Sequence, residues 1–159
     1  MFRAAKLDPA VYEEVERDRS ATGQAAFVVV ATSIAAAVGA RGSEGLGSFG
    51  VAIGALIGWA IYAWLAYVIG ARLLSGKETR ADWGEVARAL GFANVPRFAL
   101  LLGVIPGLAG LVELGVAIWV IAATVVALRA ALDFSTRRAV ATTLLSALVP
   151  VVLAMALGL

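Results

Sequence analysis

The sequence contains no cysteine and no histidine, and only 15% of its 159 residues are charged. Without these two residue types the chain cannot form a disulfide, a cysteine nucleophile, a Ser-His-Asp triad or an ordinary zinc site. A soluble domain usually carries about a quarter charged residues. The low charge therefore argues against a water-soluble protein, and the missing side chains argue against an enzyme. We predict no catalytic, cofactor-binding or metal-binding residue.

What the chain has in abundance is apolar sequence, with 62% hydrophobic residues and a mean hydropathy of +0.93. A membrane-crossing helix needs about 20 mostly apolar residues. Three stretches reach that length without a charge: Ala21–Ala40, the 27 residues between Glu44 and Arg72, and Ala139–Leu159. Each is predicted to be a transmembrane helix.

A further apolar run, Phe98–Leu128, is interrupted only by Glu113. As a single helix these 31 residues would reach about 46 Å, well beyond the roughly 30 Å of a bilayer's hydrocarbon core. Pro106 and Gly107 lie inside the run, and such a pair breaks a helix and favours a turn. We therefore predict two crossings joined by a short turn: Val86–Ile105 and Leu111–Leu132.

The basic residues of the predicted loops are distributed unevenly between the two sides of the membrane. One set of alternating segments holds eleven of them, and the other set holds only Arg41. Because basic residues concentrate on the cytoplasmic side, the N-terminus is predicted to be cytoplasmic and the C-terminus outside. The fold class is thus an all-α integral membrane bundle of five transmembrane helices. The eleven are Arg3, Lys6, Arg17, Arg19, Arg72, Lys77, Arg80, Arg88, Arg129, Arg137 and Arg138.

Residues 1–20 are predicted to form a cytoplasmic tail with a short amphipathic helix, and residues 21–159 the membrane domain. Asp8 can cap this helix, with Pro9 at its first position. Its apolar side is expected to lie on the membrane surface, and a frayed tail is the alternative. That side consists of Leu7, Val11, Tyr12 and Val15.

The second predicted span carries small residues at helical spacing, which let helix backbones approach closely. They are predicted to form a helix-packing face, either within the bundle or against a partner subunit: Gly50, Gly54, Gly58, Ala66 and Gly70. The aromatic residues of the same span are expected to pack between helices, with a stacking platform for a ligand as the alternative. They are Trp59, Tyr62, Trp64 and Tyr67.

Arg97 and Glu113 are the only charges that this topology places within the hydrocarbon. Either charge alone would be costly at that depth, so we predict that the two form an ion pair. The alternative turns Glu113 to the outer surface and bonds Arg97 to Asn94, or to carbonyl groups freed by the helix break at Pro96. Arg97 would then be the candidate for binding an anionic lipid or a partner's carboxylate.

Several short segments resemble the small prokaryotic members of the Yip1 family: Leu7-Asp8-Pro9, Ala21-Thr22-Gly23-Gln24-Ala25, Gly70, Arg88-Ala89-Leu90-Gly91-Phe92-Ala93, Pro96, Trp119, Arg129-Ala130-Ala131-Leu132-Asp133 and Ser135-Thr136-Arg137-Arg138-Ala139. The resemblance implies five spans and a cytoplasmic N-terminus. Eukaryotic members associate with Rab GTPases through a longer cytoplasmic tail. This tail has only about 20 residues, so the GTPase role is not carried over.

Together these features predict a non-catalytic membrane-organising or scaffold protein that acts through helix–helix and lipid contacts. An accessory subunit of a larger membrane complex, such as an energy-transducing one, is the alternative, and a small transporter is the third. The expected partners are the lipid bilayer and other integral membrane proteins or further copies of the chain. Nucleic acid and metal are not expected. Arginine outnumbers lysine 11 to 2, a bias that points to a prokaryote and its inner (cytoplasmic) membrane.

Overall fold

The computed structural model describes residues 1–40, 48–75 and 81–158, and throughout these ranges the regular structure is helical. The all-α prediction is confirmed. A π-helical turn, Val68–Leu73, continues the fourth helix, and a 3₁₀ segment, Val95–Val104, follows the fifth. The α-helices are α1 (Phe2–Ala5), α2 (Pro9–Arg17), α3 (Ala21–Gly39), α4 (Ser48–Tyr67), α5 (Trp83–Phe92), α6 (Ala109–Ala131) and α7 (Thr136–Leu157).

Four helical stretches of the described chain are long and apolar enough to cross a membrane: Ala21–Gly39, Gly50–Leu73, Ala109–Ala131 and Thr136–Leu153. They correspond to four of the five predicted crossings. Some residues on which the topology was argued lie outside the described ranges: Arg41, Lys77, Arg80 and Leu159.

The remaining predicted crossing, Val86–Ile105, is not one continuous α-helix. α5 ends at Phe92, and the chain proceeds as the 3₁₀ segment from Val95 onward. The reason is Pro96, which has no amide hydrogen to donate to the carbonyl group of Phe92. The predicted turn does form: Gly107 has a φ of +85°, in the left-handed region that glycine adopts without strain.

α5 and the 3₁₀ segment nevertheless follow α3 along its length and in the same direction. A β-carbon placed on Gly91 would lie 2.6 Å from the Cβ of Ala25, near the start of α3. One placed on Gly103 would lie 2.9 Å from the carbonyl oxygen of Gly39, at the end of α3. The two segments have ten residues each, which corresponds to about 15 Å of α-helix and 20 Å of 3₁₀ helix. Their summed length is thus close to a bilayer's hydrocarbon thickness.

α2 begins where the sequence predicts, since the Asp8 carboxylate accepts a hydrogen bond of 3.0 Å from the amide of Ala10. Its apolar side, however, does not face a membrane surface. Val11, Tyr12 and Val15 are buried, and α2 packs against α5 and α6. The apolar side of α2 is therefore covered by α5 and α6 and not, as the sequence had predicted, by lipid.

The C-terminal end of α2 is held by Arg88 of α5, which is only 5% exposed. Its Nε donates hydrogen bonds of 3.1 Å to the carbonyl oxygens of both Val15 and Glu16, and Nη2 also donates to Glu16. The last carbonyl groups of a helix have no partner within the helix. Arg88 therefore supplies from α5 the donors that α2 lacks at its end.

The carboxyl group of Glu16 lies beside this anchor. Burial, reinforced by the nearby carboxylates of Asp133, Glu85 and Glu13, raises the pKa of Glu16 to about 7 in spite of the adjacent Arg17. The side chain is 13% exposed, and its Oε2 is buried without a hydrogen-bond partner among the described residues. Near neutral pH this carboxyl group is thus partly protonated.

Candidate intramembrane site

A cavity of about 420 Å³ lies between the helices in the middle of the bundle. Ser33 of α3 lines it about 18 Å along the helix from Ala21, and Thr124 of α6 about 10 Å from Ala131, at 1.5 Å per residue. Trp59 of α4 and Thr143 of α7 line it at similar depths. The cavity therefore lies about midway along the helices rather than at either end of the bundle.

Two aromatic side chains form one wall of the cavity and are fixed by hydrogen bonds to other helices. The indole Nε1 of Trp59 donates to the carbonyl oxygen of Ala87 on α5 at 2.9 Å. The hydroxyl of Tyr62 donates to the carbonyl oxygen of Thr143 on α7 at 3.4 Å. These bonds tie α4 to α5 and to α7, so Trp59 and Tyr62 pack between helices as predicted, whereas Trp64 is 55% exposed and does not.

Arg97 lines the cavity, and its guanidinium group has no counter-charge in the described chain. Arg97 lies early in the 3₁₀ segment, is exposed, and makes no ion pair or side-chain hydrogen bond with any residue that the structure describes. The alternative bond to Asn94 is also absent among the described residues, and the amide nitrogen of Asn94 instead donates to the carbonyl oxygen of Leu90 at 2.8 Å.

The predicted ion pair between Arg97 and Glu113 is not formed. Glu113 is exposed just inside the start of α6, close to the turn. The α6 residues at the level of Arg97 are Val120, Ile121 and Thr124, and the nearest of them is about 10 Å further along the helix. The prediction matched the two positions along the bundle axis, but the 3₁₀ segment lengthens the path from Arg97 to the turn.

Two polar side chains of the cavity, those of Arg97 and Thr124, make no hydrogen bond with a described residue. The hydroxyl of Ser33 already donates to the carbonyl oxygen of Val29 at 2.8 Å. The hydroxyl of Thr124 has no side-chain hydrogen bond to a described residue. An arginine presents five N–H donors and no acceptor. Arg97 and Thr124 therefore leave the cavity suited to a group that accepts hydrogen bonds and carries negative charge.

The helix-packing face predicted on α4 divides into two halves. A β-carbon on Gly54 or Gly58 would meet nothing within 4 Å, and Gly50 is exposed, so the prediction is wrong for this half within the chain. Ala66 is fully buried, and a β-carbon on Gly70 would lie 2.6 Å from the side chain of Leu132. Only this second half makes the close contacts that were predicted.

The sequence did not predict the cavity itself, although Arg97 and the aromatic residues were singled out. Arg88 was assigned to a loop as one of the charges of the cytoplasmic side, and the structure buries it. One signal was available: Arg88 is the only charged residue of the helical segment between Val86 and Phe92. In the described chain, no group of three or more acidic residues is arranged to hold a metal ion.

Apolar helices of membrane-spanning length around a central cavity define an all-helical integral membrane protein. The chain belongs to the Yip1 family: the model of the Yip1 domain matches residues 7–158, nearly the whole chain. The resemblance found in the sequence is thereby confirmed. Neither a curated protein nor a solved structure matches the chain at a significant level.

Proposed function

We propose that this protein is a non-catalytic membrane-organising or scaffold protein of a prokaryotic inner membrane, acting through helix–helix and lipid contacts. The observation that carries the proposal is the large apolar surface that the bundle leaves uncovered. On α4 it includes the open half of the glycine face. Elsewhere the exposed residues include Leu111, Leu114, Ile118, Leu144, Leu148 and Val151. Exposed apolar area of this extent is typical of contact with lipid or other membrane proteins.

The proposal includes five crossings, with the N-terminus in the cytoplasm and the C-terminus outside. The parallel course of α3 and the 83–104 segment supports it, because both then cross in the same direction. The length of that segment is also sufficient for a crossing. The basic residues near α2 and at the start of α7 favour the cytoplasm for that end of the bundle.

The turn between the 3₁₀ segment and α6 decides the topology. Pro106 is exposed there, and in a chain without cysteine a Pro106→Cys variant carries a single thiol. We expect a membrane-impermeant maleimide to label it in intact cells, and to label Thr136→Cys only after the membrane is opened. If 83–104 does not cross, the two positions exchange sides. Labelling of Thr136→Cys from outside would contradict the five-span topology.

The organising role is tested at the open half of the α4 face. Gly54→Leu adds a side chain where the chain has nothing within 4 Å, so the fold should be unaffected. We expect a several-fold loss of co-purifying protein, or of homo-oligomer, in mild detergent, because the added bulk separates a partner helix from α4.

Gly23→Leu is the matched control, because Gly23 on α3 is equally open and lies outside the exposed surfaces named above. We expect it to purify with the same associated proteins as the parent chain. Equal association of the parent, Gly54→Leu and Gly23→Leu would contradict a role for this face. A stoichiometric larger complex containing the parent chain would instead favour the accessory subunit.

A further inference from the structure

We propose that the central cavity binds the anionic group of a lipid-like molecule, a carboxylate or a phosphate carried on an apolar chain. The inference goes beyond the proposed organising role and stands on the cavity alone. It begins from Arg97, which lines the cavity and has no protein counter-charge in the described chain. An arginine at this depth is costly unless an anion or acceptors accompany it.

The hydrogen-bond donors of Arg97 and Thr124 favour an anionic ligand. The planar guanidinium group offers paired N–H donors that match two oxygens of a carboxylate or phosphate. Thr124 adds a hydroxyl from α6 on the same cavity. The side-chain nitrogens of Trp59 and Asn94 already donate to carbonyl groups of α5. The donors left for a ligand thus converge from the 3₁₀ segment and α6.

The size of the cavity selects a small group rather than a protein segment. Its volume is about 420 Å³, within the range of ligand pockets. An α-helix with its side chains is about 10 Å across and does not fit between the six elements that line the space. A partner's helix is therefore excluded as the occupant of the interior, although a carboxylate reaching in from outside remains an outcome of the test.

The route of entry selects a molecule with an apolar chain. Gly58, Arg97, Ile121 and Ala147 line the cavity and are also exposed. All four lie about midway along the bundle, so these exposed positions are on its side and not at its two ends. The other lining residues include Val29, Leu90 and Val120. A ligand that enters here comes from the lipid phase, with its anionic group directed to Arg97.

Tryptophan fluorescence tests the proposal, because Trp59 lines the cavity. The experiment uses a variant in which Trp59 is the sole tryptophan and the other three are changed to Phe, with its fold verified by thermal unfolding. Brominated lipids quench tryptophan fluorescence only when they contact the ring. We expect saturable quenching in phosphatidylcholine vesicles at a few mole per cent of dibromostearate or of dibromo-phosphatidic acid. Saturable quenching by dibromostearate would identify a carboxylate as the bound anion, and saturable quenching by dibromo-phosphatidic acid would identify a phosphate.

Arg97 variants make the test specific. We expect Arg97→Gln to raise the half-saturating concentration about tenfold or more, and Arg97→Lys to raise it less. Thr124→Val should raise it by a smaller factor. A chain with Trp64 as sole tryptophan is the control, since Trp64 is 55% exposed and should be quenched in proportion to any brominated lipid, whatever residue stands at position 97.

Two results would overturn the proposal. One is quenching of Trp59 by dibromo-phosphatidylcholine as strong as by both anionic probes. The other is an unchanged half-saturating concentration in Arg97→Gln. If Arg97→Gln left lipid quenching unaltered but removed a co-purifying protein, Arg97 would serve a partner's carboxylate instead.

Discussion

Replacing Gly39 with alanine is expected to lower the free energy of unfolding by about 3 kcal/mol, because overpacking here meets backbone and not a side chain that could turn away. The added β-carbon would lie 2.8 Å from the carbonyl carbon of Leu100 and still closer to its oxygen. Relief of this contact requires α3 and the 3₁₀ segment to separate. Thermal unfolding in detergent, followed by circular dichroism, measures the effect.

Gly115→Ala is the control for this prediction. Gly115 lies within α6, and a β-carbon there meets nothing within 4 Å. Since alanine is the better helix former, we expect this variant to be as stable as the parent or more stable by up to about 1 kcal/mol. Equal unfolding temperatures for the two variants would show that α3 and the 3₁₀ segment are not in close backbone contact.

Replacing Arg88 with methionine is expected to cost about 2–3 kcal/mol and to release α2 from the bundle. Methionine keeps much of the buried apolar stem but leaves the carbonyl groups of Val15 and Glu16 without their donor. The end of α2 should then open, so that trypsin cleaves after Arg17 several-fold faster than in the parent. Timed proteolysis with mass spectrometry of the N-terminal fragments measures this.

Arg137→Met provides the comparison, because Arg137 is exposed at the start of α7. It removes the same charge without removing a donor from α2, and we expect the parent's rate of cleavage after Arg17. If Arg88→Met were cleaved no faster than Arg137→Met, the anchor would not hold α2 in place.

The sequence predicted those parts of the fold that depend on local chemistry. Charge-free runs of about 20 residues located three spans, and Pro106 with Gly107, inside a longer apolar run, located α6 and the turn before it. Pro96 was recognised as a helix break, but the 3₁₀ geometry after it was not predicted. A proline indicates where an α-helix ends, but the packing of the surrounding helices determines the conformation of the residues that follow the proline.

The errors concern rotation about helix axes and contacts across long sequence separations. Gly54 and Gly70 share one small-residue pattern, yet only Gly70 meets another helix closely. The pattern places both glycines on one side of a helix, but it does not show at which of them a neighbouring helix packs. Arg97 and Glu113 were matched by axial position alone. Arg88 was assigned to solvent because its partner carbonyl groups lie 72 and 73 residues earlier in the chain.

The anchor between Arg88 and α2 fixes an order of assembly. α2 leaves the ribosome before α5 and α6, yet its buried side packs on these two helices, and its last carbonyl groups are met by a residue 73 positions later. At roughly 5–20 residues per second, synthesis of that interval takes about 4–15 s. Throughout that time Val11, Tyr12 and Val15 have no surface of their own chain to cover them. α2 is thus synthesised early but packed late. A nascent chain halted before α6 would still expose the apolar side of α2.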